Sequence, residues 1–159
     1  MKRIMVDVNR CTGCRSCELA CRVRHIPGGS LLALPLTQSE PVARLFVEAV
    51  GERPVPAVCR HCVDAPCAEA CLTGAMSRDP QTGLVSNEGT GFRCVGCWMC
   101  IQACPYGVIQ PVGGRAVKCD GCPGLETPAC VAACAEGALI YAEVDEFSAQ
   151  RRQRMPAVG

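Results

Sequence analysis

The sequence is short of aromatic residues, with one Trp, two Tyr and three Phe in 159 residues. Aromatic side chains contribute much of the buried area of most cores, so a large conventional core is excluded. No apolar run reaches 18 residues, so no transmembrane helix is predicted. The sequence has no long block of Lys and Arg of the kind that indicates nucleic-acid binding. Its one short basic cluster is Arg151, Arg152 and Arg154.

Signatures of catalysis and of export are also missing. There is no nucleophile–base pair, no Gly-rich phosphate loop and no pair of catalytic carboxylates, so the chain is predicted not to be an enzyme. The apolar stretch at the N-terminus is interrupted by Asp7 and has no cleavage site, so it is not a signal peptide. A cytoplasmic location is expected, unless the chain is exported with a partner that carries a signal.

Cysteine, by contrast, is abundant, at 16 residues of 159. A share this high in a short chain indicates a disulfide scaffold or a metal protein. Disulfides are rare in the reducing cytosol, so metal binding is favoured. The cysteines form four groups, which are Cys11, Cys14, Cys17 and Cys21 in group one, Cys59, Cys62, Cys67 and Cys71 in group two, Cys94, Cys97, Cys100 and Cys104 in group three, and Cys119, Cys122, Cys130 and Cys134 in group four.

The spacing of these groups is that of iron–sulfur ligands. Group three is a C-x2-C-x2-C-x3-C run followed by Pro105, and group one has the same spacing without the proline. Three close thiolates bind three corners of a cubane, and the fourth ligates the other cluster in two-cluster proteins. A zinc site would instead separate two C-x2-C pairs by a longer stretch. The sixteen thiolates therefore predict four [4Fe–4S] clusters.

Several charged and aromatic residues flank the cysteines. Four clusters would add about eight negative charges to a formal net charge of +1. Nearby bases either neutralise part of that charge or are solvated surface groups: Arg10, Arg15, Arg22, Arg24, Arg60, Arg93 and Lys118. Trp98 is expected either to shield a cluster or simply to pack. His61 is expected to make a hydrogen bond or to be exposed rather than to bind iron, and His25 is expected at the surface.

Short strands are predicted between the groups. Residues 75–78 and 84–87 form one predicted hairpin, and residues 107–110 and 115–118 form a second. Residues 3–8 and 138–141 are expected to pair as edge strands. The proline-rich interval 22–58 has one predicted strand, residues 44–50, and its apolar run 31–36 either fills a gap between lobes or docks a partner.

With the cysteines placed, residues 3–142 resemble the four-cluster ferredoxin-type electron-transfer subunits of molybdenum and tungsten oxidoreductases. This family includes the iron–sulfur subunits of dimethyl sulfoxide reductase, formate dehydrogenases, polysulfide reductase and tungsten aldehyde oxidoreductase, and similar proteins serve carbon monoxide dehydrogenases and hydrogenases. The stretches 71–75 and 118–122 also look like the family. Only group three keeps the proline after its last cysteine, which puts local turn geometry in doubt but not ligation.

The resemblance implies an α+β fold of tandem bacterial-ferredoxin-like lobes, with short strands and short helices around four iron–sulfur clusters. One lobe would contain residues 1–21 and 105–142, the other residues 59–104, with a linker at 22–58 and a tail at 143–159. The implied ligands are Cys11, Cys14, Cys17 and Cys134 for cluster 1; Cys119, Cys122, Cys130 and Cys21 for cluster 2; Cys59, Cys62, Cys67 and Cys104 for cluster 3; and Cys94, Cys97, Cys100 and Cys71 for cluster 4.

The predicted function is electron transfer. Such a subunit would relay single electrons between a catalytic oxidoreductase subunit and a further redox partner, in a hetero-oligomer that neither binds nucleic acid nor spans a membrane. A tungsten aldehyde oxidoreductase is slightly favoured as the catalytic partner. The alternatives are a free soluble polyferredoxin that shuttles electrons and a zinc-binding interaction module.

Overall fold

The structure is a computed structural model that describes residues 1–36, 41–88 and 91–154, without the side chains of Leu36 and Arg154. Parts of the predicted linker, of the predicted lobe at 59–104 and of the predicted tail lie outside these ranges. The described chain contains only short helices and strands, so the α+β prediction is confirmed. The helices are α1 (Ser16–Arg24), α2 (Pro66–Glu69), α3 (Met99–Ala103), α4 (Ala129–Ala132) and α5 (Val144–Arg154), with 3-10 turns at Val8–Arg10 and Leu31–Leu36.

The strands pair as antiparallel two-stranded ribbons. Three of these ribbons are local hairpins, whereas the fourth joins the first strand of the chain to the last, with Ile4 opposite Tyr141. A two-stranded hairpin is only marginally stable by itself, so the ribbons depend on what they pack against. The strands are β1 (Lys2–Val6), β2 (Phe46–Val50), β3 (Arg53–Ala57), β4 (Ser77–Arg78), β5 (Val85–Ser86), β6 (Gln110–Val112), β7 (Arg115–Val117) and β8 (Leu139–Glu143), paired β1–β8, β2–β3, β4–β5 and β6–β7.

Strand pairing follows the sequence-based expectation in three places. The terminal pair and the hairpins β4–β5 and β6–β7 are confirmed, although β4 and β5 each have only two residues. The first strand of the second predicted hairpin begins at Gln110 instead of Gly107, because Gly107 adopts a left-handed φ of 61° that a strand does not accommodate.

The hairpin β2–β3 contains a strand that sequence reasoning missed. β3 includes Pro54 and Pro56, and prolines usually exclude a strand. The two prolines are two residues apart, opposite Ala49 and Val47, so both nitrogens face the same edge of the strand. In a two-stranded ribbon that edge can lack a neighbouring strand, and the missing N–H groups then break no ladder bond.

Cysteines make up much of the apolar core. One buried group brings Ile4, Leu45 and Leu139 together with five buried cysteines, and the other centres on Met76, Val85 and two more cysteines. The largest side chains with almost no exposure are Val85, Val108 and Pro128. This core is too poor in large apolar groups to explain by itself the stability of a chain of this length.

Two surface segments bear on the expectations for the linker and the tail. Leu31 and Leu32 are 56% and 83% exposed, so they do not fill a gap between lobes. The predicted tail contains α5, which packs beside β1 and β8, and Arg151 forms a 3.0 Å salt bridge with the buried carboxylate of Asp7. The end of the described chain is therefore anchored at Asp7. None of the helices in the three described ranges has the length and apolar character needed to cross a bilayer.

Candidate iron–sulfur sites

Each cysteine group lies on a loop that leads into a short helix. The third cysteine of every group is buried within that helix, and the fourth follows four residues later. In α1, which contains both cysteines of group one, a spacing of four residues puts the two thiols on one helix face but about one turn, or 5.4 Å, apart. In the other groups the fourth cysteine lies at or just after the end of the helix. The third and fourth cysteines of one group can therefore belong to two different sites. The third cysteines are Cys17, Cys67, Cys100 and Cys130.

The loops of groups one and three share an unusual backbone. Gly13 and Arg15 have φ angles of 75° and 58°, and the equivalent Gly96 and Trp98 have 70° and 63°. A left-handed conformation costs about 1–2 kcal/mol for a residue with a side chain. Because it recurs at matching positions, this left-handed geometry is a property of the C-x2-C-x2-C run.

Three small apolar cavities in the described residues are each lined by four cysteines. Three of the thiols come from one group, and the fourth comes from another group, at or just after the end of its helix, as the resemblance implies for clusters 1, 3 and 4. Their role as ligands remains a prediction. Site 1 contains Cys11, Cys14, Cys17 and Cys134; site 3 contains Cys59, Cys62, Cys67 and Cys104; site 4 contains Cys71, Cys94, Cys97 and Cys100.

The other four cysteines, Cys21, Cys119, Cys122 and Cys130, are buried together, and we call them site 2. Burial raises the pKa of Cys130, and the neighbouring thiols of Cys119, Cys21 and Cys122 raise it further. Site 2 therefore brings together the four residues that the resemblance implies for cluster 2. Here too, ligation remains a prediction.

The donor set in these sites suits an iron–sulfur cluster. All sixteen cysteines are free thiols, with no disulfide among them. Burial is the main reason that the pKa rises to about 11 for Cys17 and Cys67 and to about 12 for Cys119. Buried thiols of this kind become thiolates only beside a compensating positive charge, such as coordinated iron, which deprotonates a thiol outright.

Backbone amides donate to several of the cysteine sulfurs. The N–H groups of Met76 and Arg44 each lie 3.3 Å from a sulfur, that of Cys71 and that of Cys21 respectively. Such bonds stabilise negative charge on the sulfurs of a cluster and so raise its reduction potential. Three more donors are Ala116 to Cys94 at 3.5 Å, Gly121 to Cys119 at 3.4 Å and Leu139 to Cys134 at 3.4 Å.

Site 3 has two buried polar side chains in its lining, His61 and Lys118. The Nδ1 atom of His61 accepts a 3.0 Å hydrogen bond from the Val85 amide, so the hydrogen-bond expectation is confirmed and the solvent-exposed alternative is wrong. Burial and the nearby Lys118 charge lower the pKa of His61 to about 3. Burial of Lys118 could not be foreseen, because it depends on how β5 packs on the loop before Cys119.

Site 2 is bordered by a charged network that contains His25, contrary to the expected surface position. Its imidazole contacts the Cys21 carbonyl at 2.7 Å and lies 3.2 Å from Asp120, which also pairs with Arg44 at 2.9 Å. Burial opposes protonation of His25, but the hydrogen bonds with Asp120 and Cys21 outweigh it and raise the pKa to about 9. The side-chain ligand atoms of His25, Asp120 and Cys122 lie within 4.8 Å of one another. Because Cys122 belongs to site 2, the His25–Asp120 pair adjoins that site directly.

The other flanking residues divide by exposure. Trp98 lines site 4, the position that shielding of a cluster would require. Arg22 and Arg24 are half-buried, whereas Arg15 is exposed but reaches the Val47 carbonyl at 3.3 Å. The remaining flanking arginines, Arg10, Arg60 and Arg93, are exposed, and surface position weakens their effect on a buried charge.

Substitution of Gly96 should disrupt site 4. A Cβ at this position would lie 2.5 Å from the Gly114 carbonyl oxygen, and the backbone is left-handed as well. Gly96→Ala should therefore destabilise the protein by more than the roughly 1–2 kcal/mol of the conformational cost. Anaerobic thermal unfolding measures this effect. Gly107→Ala is the control, because its φ of 61° is similar and, among the described residues other than its chain neighbours, no atom lies within 4 Å of the added Cβ. Equal losses in both variants would contradict a steric role for Gly114.

Comparison with known proteins places these sites in a family. Residues 53–144 match the 4Fe-4S dicluster domain. The chain is 38% identical to the electron transport protein HydN of Escherichia coli (strain K12), with 95% of each chain covered. It is 38% identical to the putative electron transport protein YsaA of the same strain, covering 96% of this chain and 97% of that protein. It is 35% identical to the thiosulfate reductase electron transfer subunit PhsB of Salmonella typhi, covering 91% and 77%. Because the domain match spans more than half of the chain and includes three of the four cysteine groups, the chain belongs to the 4Fe-4S dicluster domain family.

Proposed function

We propose that the chain is an electron-transfer protein that holds one [4Fe–4S] cluster at each of sites 1 to 4 and relays single electrons. The convergence of sixteen free thiols into four sets of four is the observation that carries this proposal. Bound clusters supply one-electron redox chemistry. The protein supplies the ligands, the spacing of the sites and the groups that adjust potentials.

The arrangement of the four sites supports a relay with two ends. Thiols of adjacent sites are close enough for their charges to interact, which orders the sites 1, 2, 3 and 4. Sites 1 and 2 are linked through Cys17 and Cys130, sites 2 and 3 through Cys59 and Cys119, and sites 3 and 4 through Cys67 and Cys100.

The two ends of this order differ from its middle in exposure. Cys14 in site 1 and Cys97 in site 4 are exposed, whereas every other cysteine is buried or half-buried. Electrons would enter at one exposed cysteine and leave at the other. Around Cys97, the side chains of Val95 and Met99 are 63% and 39% exposed, which favours a protein partner over free solvent.

We infer that one partner is the catalytic subunit of a molybdenum or tungsten oxidoreductase and that the other is a further redox subunit. The inference draws on the family resemblance and on the thiosulfate reductase subunit among the relatives. A tungsten aldehyde oxidoreductase is the specific partner favoured. Purification of the native complex, with metal analysis for tungsten, molybdenum and nickel, tests this assignment. A monomer that purifies without a catalytic subunit would support the free shuttle instead.

Iron and sulfide content tests the number of clusters. Protein purified under anaerobic conditions should contain about 16 iron and about 16 acid-labile sulfide per chain, the stoichiometry of four cubanes. Analysis by atomic emission and by sulfide assay gives both values on one sample. About 8 iron would leave two sites empty and refute the four-cluster relay, and stoichiometric zinc without sulfide would refute the iron–sulfur function as a whole.

A further inference from the structure

The sequence has two lysines, Lys2 and Lys118, and they occupy opposite environments. Lys2 is exposed and lies over the ring of Tyr141, 5.9 Å from its centroid. Lys118 is only 3% exposed and forms part of the lining of site 3. A buried ammonium group costs several kcal/mol unless an anion compensates it.

The hydrogen bonds of Lys118 do not provide that anion. Its Nζ atom donates to the carbonyl oxygens of Val85 and of Cys119, the latter at 3.1 Å. Within the described ranges it has no carboxylate partner. Both carbonyls are neutral dipoles. They hold the ammonium group of Lys118 in position at the wall of site 3 but do not neutralise its charge.

His61 brings a hydrogen-bond donor without an acceptor to the same wall of the cavity. Its Nδ1 atom accepts the Val85 amide hydrogen, so the neutral ring carries its proton on Nε2. The Nε2 atom is buried and has no hydrogen-bond partner in the described chain. A buried N–H without an acceptor costs about 1–3 kcal/mol, which indicates that an acceptor belongs in the cavity.

Site 3 thus combines a fixed positive charge and an unfilled hydrogen-bond donor in one thiol-lined cavity. A cubane with four thiolates carries about two negative charges and gains another on reduction. A cation and a donor at its wall stabilise the reduced form more than the oxidised form, since the reduced form has the greater negative charge.

We propose that Lys118 and His61 set the reduction potential of the cluster at site 3 and hold it above the value that the four cysteines alone would give. Lys118 acts through its charge and is the larger contributor, and His61 acts through its Nε2–H group. This inference rests on the proposed function. Lys118 also donates to the carbonyl of Cys119, a residue of site 2. The potential of the cluster at site 2 is therefore raised by a smaller amount, while the potentials at sites 1 and 4 are unaffected.

The test is a redox titration of the purified holoprotein followed by electron paramagnetic resonance. Lys118→Met should shift one of the four signals to lower potential by at least about tenfold in the reduction equilibrium constant, or about 59 mV for one electron, and a second signal, that of site 2, by less. The signal with the larger shift is assigned to site 3 if Cys62→Ser alters it too. Lys2→Met removes the same charge from the surface and should leave all four signals in place. His61→Asn should shift the same signal by a smaller amount, and Asn tolerates the left-handed φ of 46°.

Several outcomes would overturn the proposal. Unchanged potentials in a Lys118→Met protein with full iron content would do so, as would an equal shift of all four signals. If Lys118→Met and Lys118→Gln both lose iron from site 3, the lysine has a structural role and the proposal is wrong. Wild-type protein without iron would instead refute the proposed function, so the two failures are distinguishable.

Discussion

Removal of the iron should unfold the protein. The described ribbons are two-stranded, and cysteines supply much of the buried core around them. Metal binding is folding energy when no site exists in the unfolded chain, and a domain has only about 5–15 kcal/mol of net stability to lose. We therefore expect oxidation with a chelator to abolish the cooperative thermal transition, to collapse far-ultraviolet circular dichroism and to make the chain sensitive to protease.

The control separates loss of clusters from the effect of the reagent. Anaerobic protein incubated with the chelator but without oxidant should keep its visible absorbance, its circular dichroism and its protease resistance. An iron-free protein that still unfolds in one sharp transition would show that the apolar contacts suffice to stabilise the fold. The prediction that the fold depends on the clusters would then be wrong.

Replacement of Cys104 should damage the cluster of a different group. Cys104 ends group three, yet its thiol lines site 3 with Cys59, Cys62 and Cys67. Cys104→Ser should therefore change or remove the cluster at site 3, with loss of up to about four iron atoms per chain, and leave the cluster at site 4 intact. Spectroscopy that resolves individual clusters, or a structure of the variant, measures the outcome.

A cysteine from the same group provides the matched control. Cys97 lines site 4, so Cys97→Ser should produce the opposite pattern, with site 4 changed and site 3 kept. Cys21→Ser should likewise change only the cluster at site 2. If Cys104→Ser removed the cluster held by Cys94, Cys97 and Cys100, the crossing of ligands and the two-lobe organisation inferred from it would both be refuted.

The candidate sites were largely predictable because ligand spacing is local information. Three thiols on one loop and a fourth on the next turn are visible in the sequence, and the ferredoxin resemblance suggested which runs share a site. The environment of the sites was less accessible. Burial of Lys118 at site 3 and the contact of His25 with Asp120 depend on packing between residues far apart in sequence.

The parts of the fold that sequence reasoning missed have specific physical causes. Pro54 and Pro56 are strand breakers in most contexts, and only the free edge of a two-stranded ribbon permits both in β3. The polar residues of α5 carry no clear apolar periodicity, and the helix is anchored by the ion pair of Arg151 with Asp7. An ion pair between the two ends of a chain leaves no pattern in the sequence.

The pairing of β1 with β8 also bears on how the protein is made. The cysteines of group one are synthesised well before Cys134, which lines site 1 with them, and before Leu139–Glu143, which pairs with β1. The cysteines of sites 3 and 4 include none beyond Cys104, so these two sets of thiols are complete a few seconds earlier at about 5–20 residues per second. Cluster insertion would therefore run from the middle of the chain outward, and the thiols of group one would be among the last to be protected from oxygen.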